Sequence, residues 1–131
     1  MSQENIEIIR RAHEAYERGD WSESVKDFDS EAIAYRKVPD GAMFYGPEGI
    51  LQMVTDWLAG FDDFILTTPQ LIDANDHQVI ARTRQTAIGA GSGVRIEGEF
   101  WFVHTLRDAR IIRLDIVTSK ARALEVAGLS E

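Results

Sequence analysis

The chain of 131 residues has no cysteine, only three prolines and no long apolar run. Without cysteine it has no disulfide, no thiolate nucleophile and no cysteine-ligated metal, which fits a reducing compartment. No apolar stretch approaches the roughly 20 residues that a membrane span requires. The N-terminal residues are polar and acidic, unlike a secretory signal peptide. We therefore expect a cytoplasmic protein with no membrane-spanning segment.

Basic residues are also scarce: 14 Lys and Arg stand against 22 Asp and Glu, a formal charge of -8. Nucleic acids and anionic membranes both require clustered Lys and Arg. We therefore exclude both as partners. The length predicts one domain over residues 1–131, large enough to bury a core and enclose a small-molecule pocket.

Helices are predicted from apolar spacing and from the residues that begin and end them. Asp20, with Glu23 three residues later, forms a capping-box pattern, and Trp21, Val25 and Phe28 have the buried spacing of the helix that follows. The predicted helices are 3–18, one capped by Asp20, one beginning at Gly46 and Pro47, and 119–127, which ends at Gly128.

The second half of the chain alternates as β-strands do. A strand at 32–38 is closed by Pro39, Asp40 and Gly41, and four more are predicted at 62–73, 77–88, 95–106 and 110–118. Helices followed by a run of antiparallel strands predict an α+β fold.

Four short motifs carry a resemblance to a known family. They are residues 15–21 (AYERGDW), 44–50 (FYGPEGI), 106–111 (LRDARI, with Ala109 where a glycine is usual) and 123–129 (ALEVAGL). Their order resembles SnoaL-like and ketosteroid-isomerase-like domains of the nuclear-transport-factor-2-like superfamily. The resemblance implies a cystatin-like cone, with N-terminal helices in the concave face of a curved, mainly antiparallel sheet and a short C-terminal helix.

The resemblance also implies a function. It implies a pocket for a small apolar molecule and no cofactor, with isomerisation, cyclisation or hydrolysis as the reaction. The alternative is a non-catalytic binding or dimerisation module, and a third hypothesis is a scaffold whose pocket is filled by its own aromatic rings.

The known catalytic positions of the family do not match this chain. The tyrosine, the base and the acid of the isomerases fall on Ala12, near Arg36 and on Val103. The arginine and two aspartates of limonene-epoxide hydrolases fall near Thr83, Gln85 and Ile116. Neither mechanism therefore transfers, because a proton-transfer step needs an acid or base at these positions.

The last hairpin predicts which side chains share a face. A two-residue turn at Asp108 and Ala109 pairs Arg107 with Arg110 and Val103 with Leu114. The smoother apolar face, assigned to the pocket, carries Trp101, Val103, Thr105, Ile112, Leu114 and Ile116. The outer face carries Phe100, Phe102, His104, Leu106, Ile111, Arg113, Asp115 and Val117.

Glu99 is the candidate catalytic residue. It shares the predicted pocket face with Trp101, and a carboxyl against an indole would be desolvated and have a raised pKa. The alternative is a solvated side chain at the start of a strand. The candidate ligand-binding residues are Tyr16, Tyr35, Trp57, Gln85 and Trp101.

Three outer-face features have both a functional and a structural interpretation. His104, Arg113 and Asp115 form a predicted cross-strand cluster, which either transfers protons or stabilises the sheet or a dimer. Arg82 and Arg84 share a face, where they either hold an anionic ligand or form a solvated or dimer-face stripe. The apolar patch of Phe100, Phe102, Ile111 and Val117 predicts a homodimer. No metal is expected, because His13, His77 and His104 lie on separate elements.

Overall fold

The computed structural model describes residues 2–37 and 40–129. Its elements, in chain order, are α1 Ser2–Glu17, α2 Trp21–Ser24, β1 Phe28–Arg36, β2 Ala42–Tyr45, α3 Gly46–Leu58, β3 Phe61–Asn75, β4 Gln78–Gly89, β5 Arg95–Arg107, β6 Arg110–Val117 and α4 Lys120–Val126. The strands form one mixed sheet in the order β2-β1-β6-β5-β4-β3. Only the β1–β6 pair among these is parallel. The predicted α+β class and the curved, mainly antiparallel sheet are confirmed.

The sheet is covered on both faces. On the concave face, α1 and α3 pack over a core that includes Ile9, Phe28, Ile50, Val79 and Leu114. On the outer face, α4 covers a second cluster that includes Ile80, Trp101, Val103, Val117 and Ala123. Within residues 2–37 and 40–129, each helix is too short or too polar to cross a bilayer.

The start of the sheet differs from the prediction. Asp20 caps α2 as expected, its Oδ1 accepting from the Glu23 amide at 3.3 Å, but α2 is a single turn. The strand therefore begins at Phe28, which is paired with Ile111 of β6, rather than at residue 32. The short strand β2 was also missed. Val38, the predicted end of the strand, and Pro39, the first predicted turn residue, lie outside the described residues.

A β-bulge in the last hairpin reverses the predicted faces of β5. The turn pairs Arg107 with Arg110 as predicted, but the register then shifts by one residue, so Thr105 faces Arg113. As a result Val103 faces Asp115 instead of Leu114.

Every β5 side chain beyond the bulge is therefore on the opposite face from the one predicted. Phe100, Phe102, His104 and Leu106 belong to the concave side. Trp101 and Val103 lie on the outer side under α4. On β6, Leu114 and Ile116 are on the concave side as predicted, and Ile111 joins them.

The turn of this hairpin gives a direct stability prediction. Asp108 and Ala109 both adopt positive φ, at 52° and 63°, and alanine has a steric cost there that glycine does not. We expect Ala109→Gly to raise the free energy of unfolding by about 1 kcal/mol, or a few degrees in Tm. Ala59→Gly is the control, because Ala59 is exposed at φ -61° and should gain nothing. An unchanged or lower Tm for Ala109→Gly in thermal unfolding would contradict the prediction.

Candidate ligand cavity

A cavity opens between α3, the end of α1 and the concave face of the sheet. It holds about 580 Å³ of empty space, counting the part open to solvent. Its lining residues are Tyr16, Trp21, Arg36, Met53, Val54, Trp57, Leu58, Phe64, Leu66, Gln85, Phe100, Phe102 and Ile116. Six of these lining side chains are aromatic and most of the others are aliphatic, which suits an apolar ligand with a flat ring that can stack on them.

A second lobe adjoins the first. The two share Trp57, Phe64, Gln85 and Phe100 as a common wall, and the second lobe holds about 470 Å³ of empty space, counting the part open to solvent. We call these the inner and the outer lobe. Glu97 is the one acidic residue among the described residues that line the outer lobe, and its carboxylate is paired with Arg84 at 2.8 Å.

Gln85 presents its amide NH₂ group to the cavity. The indole Nε1 of Trp57 donates to Gln85 Oε1 at 3.0 Å. Since an indole N–H can only donate, this contact fixes which end of the amide is the oxygen. The two N–H donors of Gln85 therefore remain for a ligand.

Tyr16 contributes a neutral hydroxyl. The residue is only 4% exposed, and its ring lies edge-on to His13 with centroids 4.8 Å apart. Burial raises the pKa of the Tyr16 hydroxyl, so it stays protonated at every physiological pH. The hydroxyl makes no hydrogen bond to any described residue, although it is not fully occluded. It is therefore a free donor at the cavity wall.

Arg36 is the one charged side chain among the described residues that line the inner lobe. Its Nη2 and Nε donate to the carboxylate of Asp40 at 2.8 and 3.3 Å, and its guanidinium lies 5.1 Å from the ring centre of Phe44. The Arg36 hydrogen bond lowers the pKa of Asp40. Alternation along β1 explains why Arg36 faces the cavity, because Ala34 and Ala32, two and four residues before it, are core residues of the same concave face.

A pair of buried histidines lies behind the cavity. The rings of His13 and His104 meet edge-on at 5.2 Å, and His13 Nδ1 is 3.0 Å from the hydroxyl of Thr68. His13 Nε2 and both ring nitrogens of His104 make no well-formed hydrogen bond to the described residues. Neither histidine lines either lobe, so the pair supports the wall rather than touching a ligand.

The structure brings together three of the predicted site residues, Tyr16, Trp57 and Gln85. It places the other three elsewhere because of the strand register. Glu99 lies on the outer face, where its half-exposed carboxylate pairs with Arg82 at 3.3 Å. Trp101 packs under α4, and Tyr35 is registered with Asp115 on the outer face. The predicted contact of Glu99 with a pocket is therefore wrong.

The predicted outer-face features also change. Arg113 holds Asp115 through two hydrogen bonds of 2.9 and 3.0 Å, which raise the pKa of Arg113, but His104 is on the concave side. The predicted three-residue cluster is thus an ion pair that stabilises the sheet. The predicted apolar patch is wrong as well, since Phe102 and Ile111 are in the concave core and Val117 lies under α4.

Sequence reasoning missed the cavity role of Arg36, although the signal was present. Its neighbours two and four positions back, Ala34 and Ala32, are small and apolar, as on a buried strand face. No set of three metal-ligating side chains comes together within the described parts of the chain.

Comparison with known proteins identifies the family to which this chain belongs. A family model described as the SnoaL-like domain matches residues 9–114, whereas the curated proteins include no match. A nuclear-transport-factor-2-like protein from Burkholderia thailandensis E264 is 20% identical, with 95% of each chain covered and a TM-score of 0.79. TerC, crystallised with polyporic acid, is 15% identical, with 95% of this chain and 98% of that chain covered and a TM-score of 0.75.

A third similar structure is a protein with a ketosteroid-isomerase-like fold from Catenulispora acidiphila, in complex with trimethylamine. It is 15% identical, with 94% of this chain and 93% of that chain covered and a TM-score of 0.75. At such identities the likeness shows the fold, and the family model, which spans most of the chain, shows the family. The chain belongs to the SnoaL-like domain family.

Proposed function

We propose that this protein binds a small, flat, mainly apolar molecule in the cavity. The observation that carries the proposal is the cavity itself, with aromatic and aliphatic walls and three polar groups, Tyr16, Gln85 and Arg36. Ligand sites in proteins commonly combine an apolar lining with a few placed polar groups. Two proteins of the same fold, TerC and the Catenulispora protein, were crystallised with small molecules, polyporic acid and trimethylamine.

Binding is better supported than conversion, because the inner lobe lacks a base. Proton transfer in catalysis needs a group that can accept a proton near neutral pH. None of the described residues lining the inner lobe is Asp, Glu or His, and Glu97, which borders the outer lobe, directs its half-exposed carboxylate to Arg84. The non-catalytic binding module is therefore our leading proposal.

Cofactor-independent isomerisation, cyclisation or hydrolysis is the second candidate. It is favoured by Tyr16, whose protonated hydroxyl could donate to an oxygen of the ligand while that oxygen gains charge. Such a reaction would need the base to be the ligand itself or a water molecule. Once a substrate is known, Tyr16→Phe should lower kcat if this candidate is right and leave kcat unchanged if it is wrong.

The binding proposal predicts a specific pattern of nuclear magnetic resonance shifts. On addition of 2-naphthamide, a neutral aromatic probe, we expect the indole N–H signals of Trp21 and Trp57 to move, because both line the cavity. The signal of Trp101 should stay in place, since that ring lies under α4 on the other face. The measurement is a proton–nitrogen correlation spectrum recorded during titration.

A pair of neighbouring variants controls this experiment. Val54→Phe adds bulk to the cavity wall and should weaken binding by at least about tenfold, since a well-packed apolar site tolerates little added volume. Thr55→Phe, one residue on, is exposed and does not line the cavity, so it should leave binding unchanged. Equal shifts of all three indoles, or no shift, would contradict the proposal.

Homodimerisation and a cytoplasmic location stay predictions from the sequence. Most of the patch that suggested the dimer is buried within the chain, so any interface must use other residues. Sedimentation of the protein as a monomer at micromolar concentration would refute the dimer.

A further inference from the structure

The polar groups of the inner lobe are hydrogen-bond donors, and one of them is a cation. Building on the proposed function, we infer that the ligand is an apolar acid, ionised at neutral pH, whose anionic oxygen is held by Arg36. The inference concerns the chemical class of the ligand and depends on the orientation of the groups around the cavity.

Arg36 has donors left for a ligand after its contact with Asp40. The carboxylate of Asp40 takes Nε and Nη2, while Nη1 makes no hydrogen bond to any described residue. The Arg36 side chain is 13% exposed and that of Asp40 is 50% exposed. Asp40 therefore lies on the solvent side of this ion pair, and the guanidinium of Arg36 forms part of the cavity wall. Guanidinium groups bind carboxylates strongly because their hydrogen bonds are charge-assisted.

The two neutral polar groups of the cavity also offer hydrogen-bond donors, which suit an anionic oxygen. Gln85 has its oxygen occupied by the Trp57 indole and offers its NH₂ group, and Tyr16 offers a free, protonated hydroxyl. None of the described side chains lining the inner lobe is a carboxylate that would repel an anion. A cationic ligand would meet the charge of Arg36, and a purely apolar one would leave these donors unsatisfied.

The competing explanation is structural: Arg36 pairs with Asp40, packs on Phe44 and stabilises the strand that carries it. The two explanations differ in one measurable respect. A purely structural guanidinium gives no preference between an acid and the neutral amide of the same shape, whereas a ligand-binding one favours the acid.

The experiment measures the affinities of 2-naphthoate and 2-naphthamide for the full chain at about pH 7.5 and roughly 150 mM salt, where the net charge of the protein is largely screened. Titration is followed by the Trp57 indole signal and by calorimetry. We expect 2-naphthoate to bind at least about tenfold more tightly than 2-naphthamide, the usual strength of a desolvated charge-assisted hydrogen bond.

Variants assign that preference to one side chain. Arg36→Gln should remove the acid preference, because it lowers the affinity for 2-naphthoate much more than the affinity for 2-naphthamide, and Arg36→Lys should keep part of the preference. Asp40→Asn should strengthen 2-naphthoate binding, because the guanidinium is then no longer neutralised by its partner. Arg82→Gln is the matched control, since Arg82 is also ion-paired but lies on the outer face.

The outcomes separate this inference from the proposed function. If both probes bind with equal affinity, or if the acid preference survives in Arg36→Gln, the inference is overturned and the binding function stands. If neither probe moves the Trp57 signal, both are overturned. Should Arg36→Gln fail to fold, Arg36→Lys and Asp40→Asn decide the matter, and an unchanged acid-to-amide ratio in Asp40→Asn counts against the inference.

Discussion

Lowering the pH from 7 to 4 is expected to destabilise the fold by about 3 kcal/mol through His104 alone, with His13 adding to the loss. Burial lowers the pKa of His104 from 6.5 to about 4, although the carbonyls of Val79 and Phe102 partly oppose this effect. A tenfold difference in proton affinity between the folded and unfolded states corresponds to about 1.4 kcal/mol of stability. Burial, and then the proximity of His104, also lower the pKa of His13.

The sign of the effect follows from proton binding in the two states. Below pH 6.5 the unfolded chain protonates both histidines, whereas the folded chain keeps them neutral. The unfolded state then binds more protons, so the free energy of unfolding falls as the pH is lowered. The loss begins near pH 6.5 and continues until His104 titrates in the folded state, near pH 4.

The geometry leaves a proton on this pair without a counter-charge. The two rings lie edge-on, and their neighbours include the rings of Tyr16 and Phe102 and the hydroxyl of Thr68. The nearby carboxylate of Glu17 is occupied by the Thr68 amide at 2.7 Å. Two charged imidazoles would therefore repel each other in an apolar core.

Urea unfolding at a series of pH values between about 7.5 and 4.5 measures this loss, and variants separate it from the titration of surface carboxylates. His104→Met stays neutral at every pH and should remove the His104 share of the drop. His77→Gln, at an exposed turn, should leave the profile unchanged. The prediction is wrong if His104→Met retains the full loss of stability over this pH range.

Much of this fold is predictable from local chemistry. Asp20, Pro47 and Gly128 mark helix ends through caps and a fixed φ, which need no knowledge of the rest of the molecule. The turn at Asp108 and Ala109 likewise depends on only a few neighbouring residues. These signals locate the elements to within a few residues and give the α+β order.

The cavity was less predictable because its walls depend on one bulge. The extra residue in β6, Ile112, is apolar like the core residue before it, and both registers place Leu114 and Ile116 on the concave side. They differ in the faces of β5, since His104 in one register and Val103 in the other is the partner of Leu114, and local pattern does not decide between them. Tyr16 and Trp57, which lie on helices, line the cavity, and no sheet register affects their position.

Trp101→Ala is expected to cost about 3–5 kcal/mol of stability, the usual range for removing a buried tryptophan. The ring is 5% exposed and packs with Val103, Val117, Ala123 of α4 and Ala127, which directly follows α4. Its loss leaves a cavity under a helix of only seven residues, which has little stability of its own. We therefore expect α4 to detach from the sheet in this variant.

The same variant should not affect the ligand. Trp101 and the cavity lie on opposite faces of β5, so folded Trp101→Ala should bind 2-naphthamide with the affinity of the parent protein. Glu99→Gln is the matched control on that outer face: it removes an exposed ion pair and should cost less than about 1 kcal/mol. Urea unfolding gives the stabilities, and the indole signals of Trp21 and Trp57 give the binding.

Together the two variants distinguish the observed register from the one predicted without a bulge. Without the bulge, Trp101 and Glu99 would face the ligand, and both substitutions would weaken binding. With the bulge, Trp101→Ala destabilises the fold and neither substitution weakens binding, because the sheet separates the α4 cluster from the cavity. If the folded fraction of Trp101→Ala loses its affinity while Trp101→Phe retains it, the observed assignment of faces is wrong.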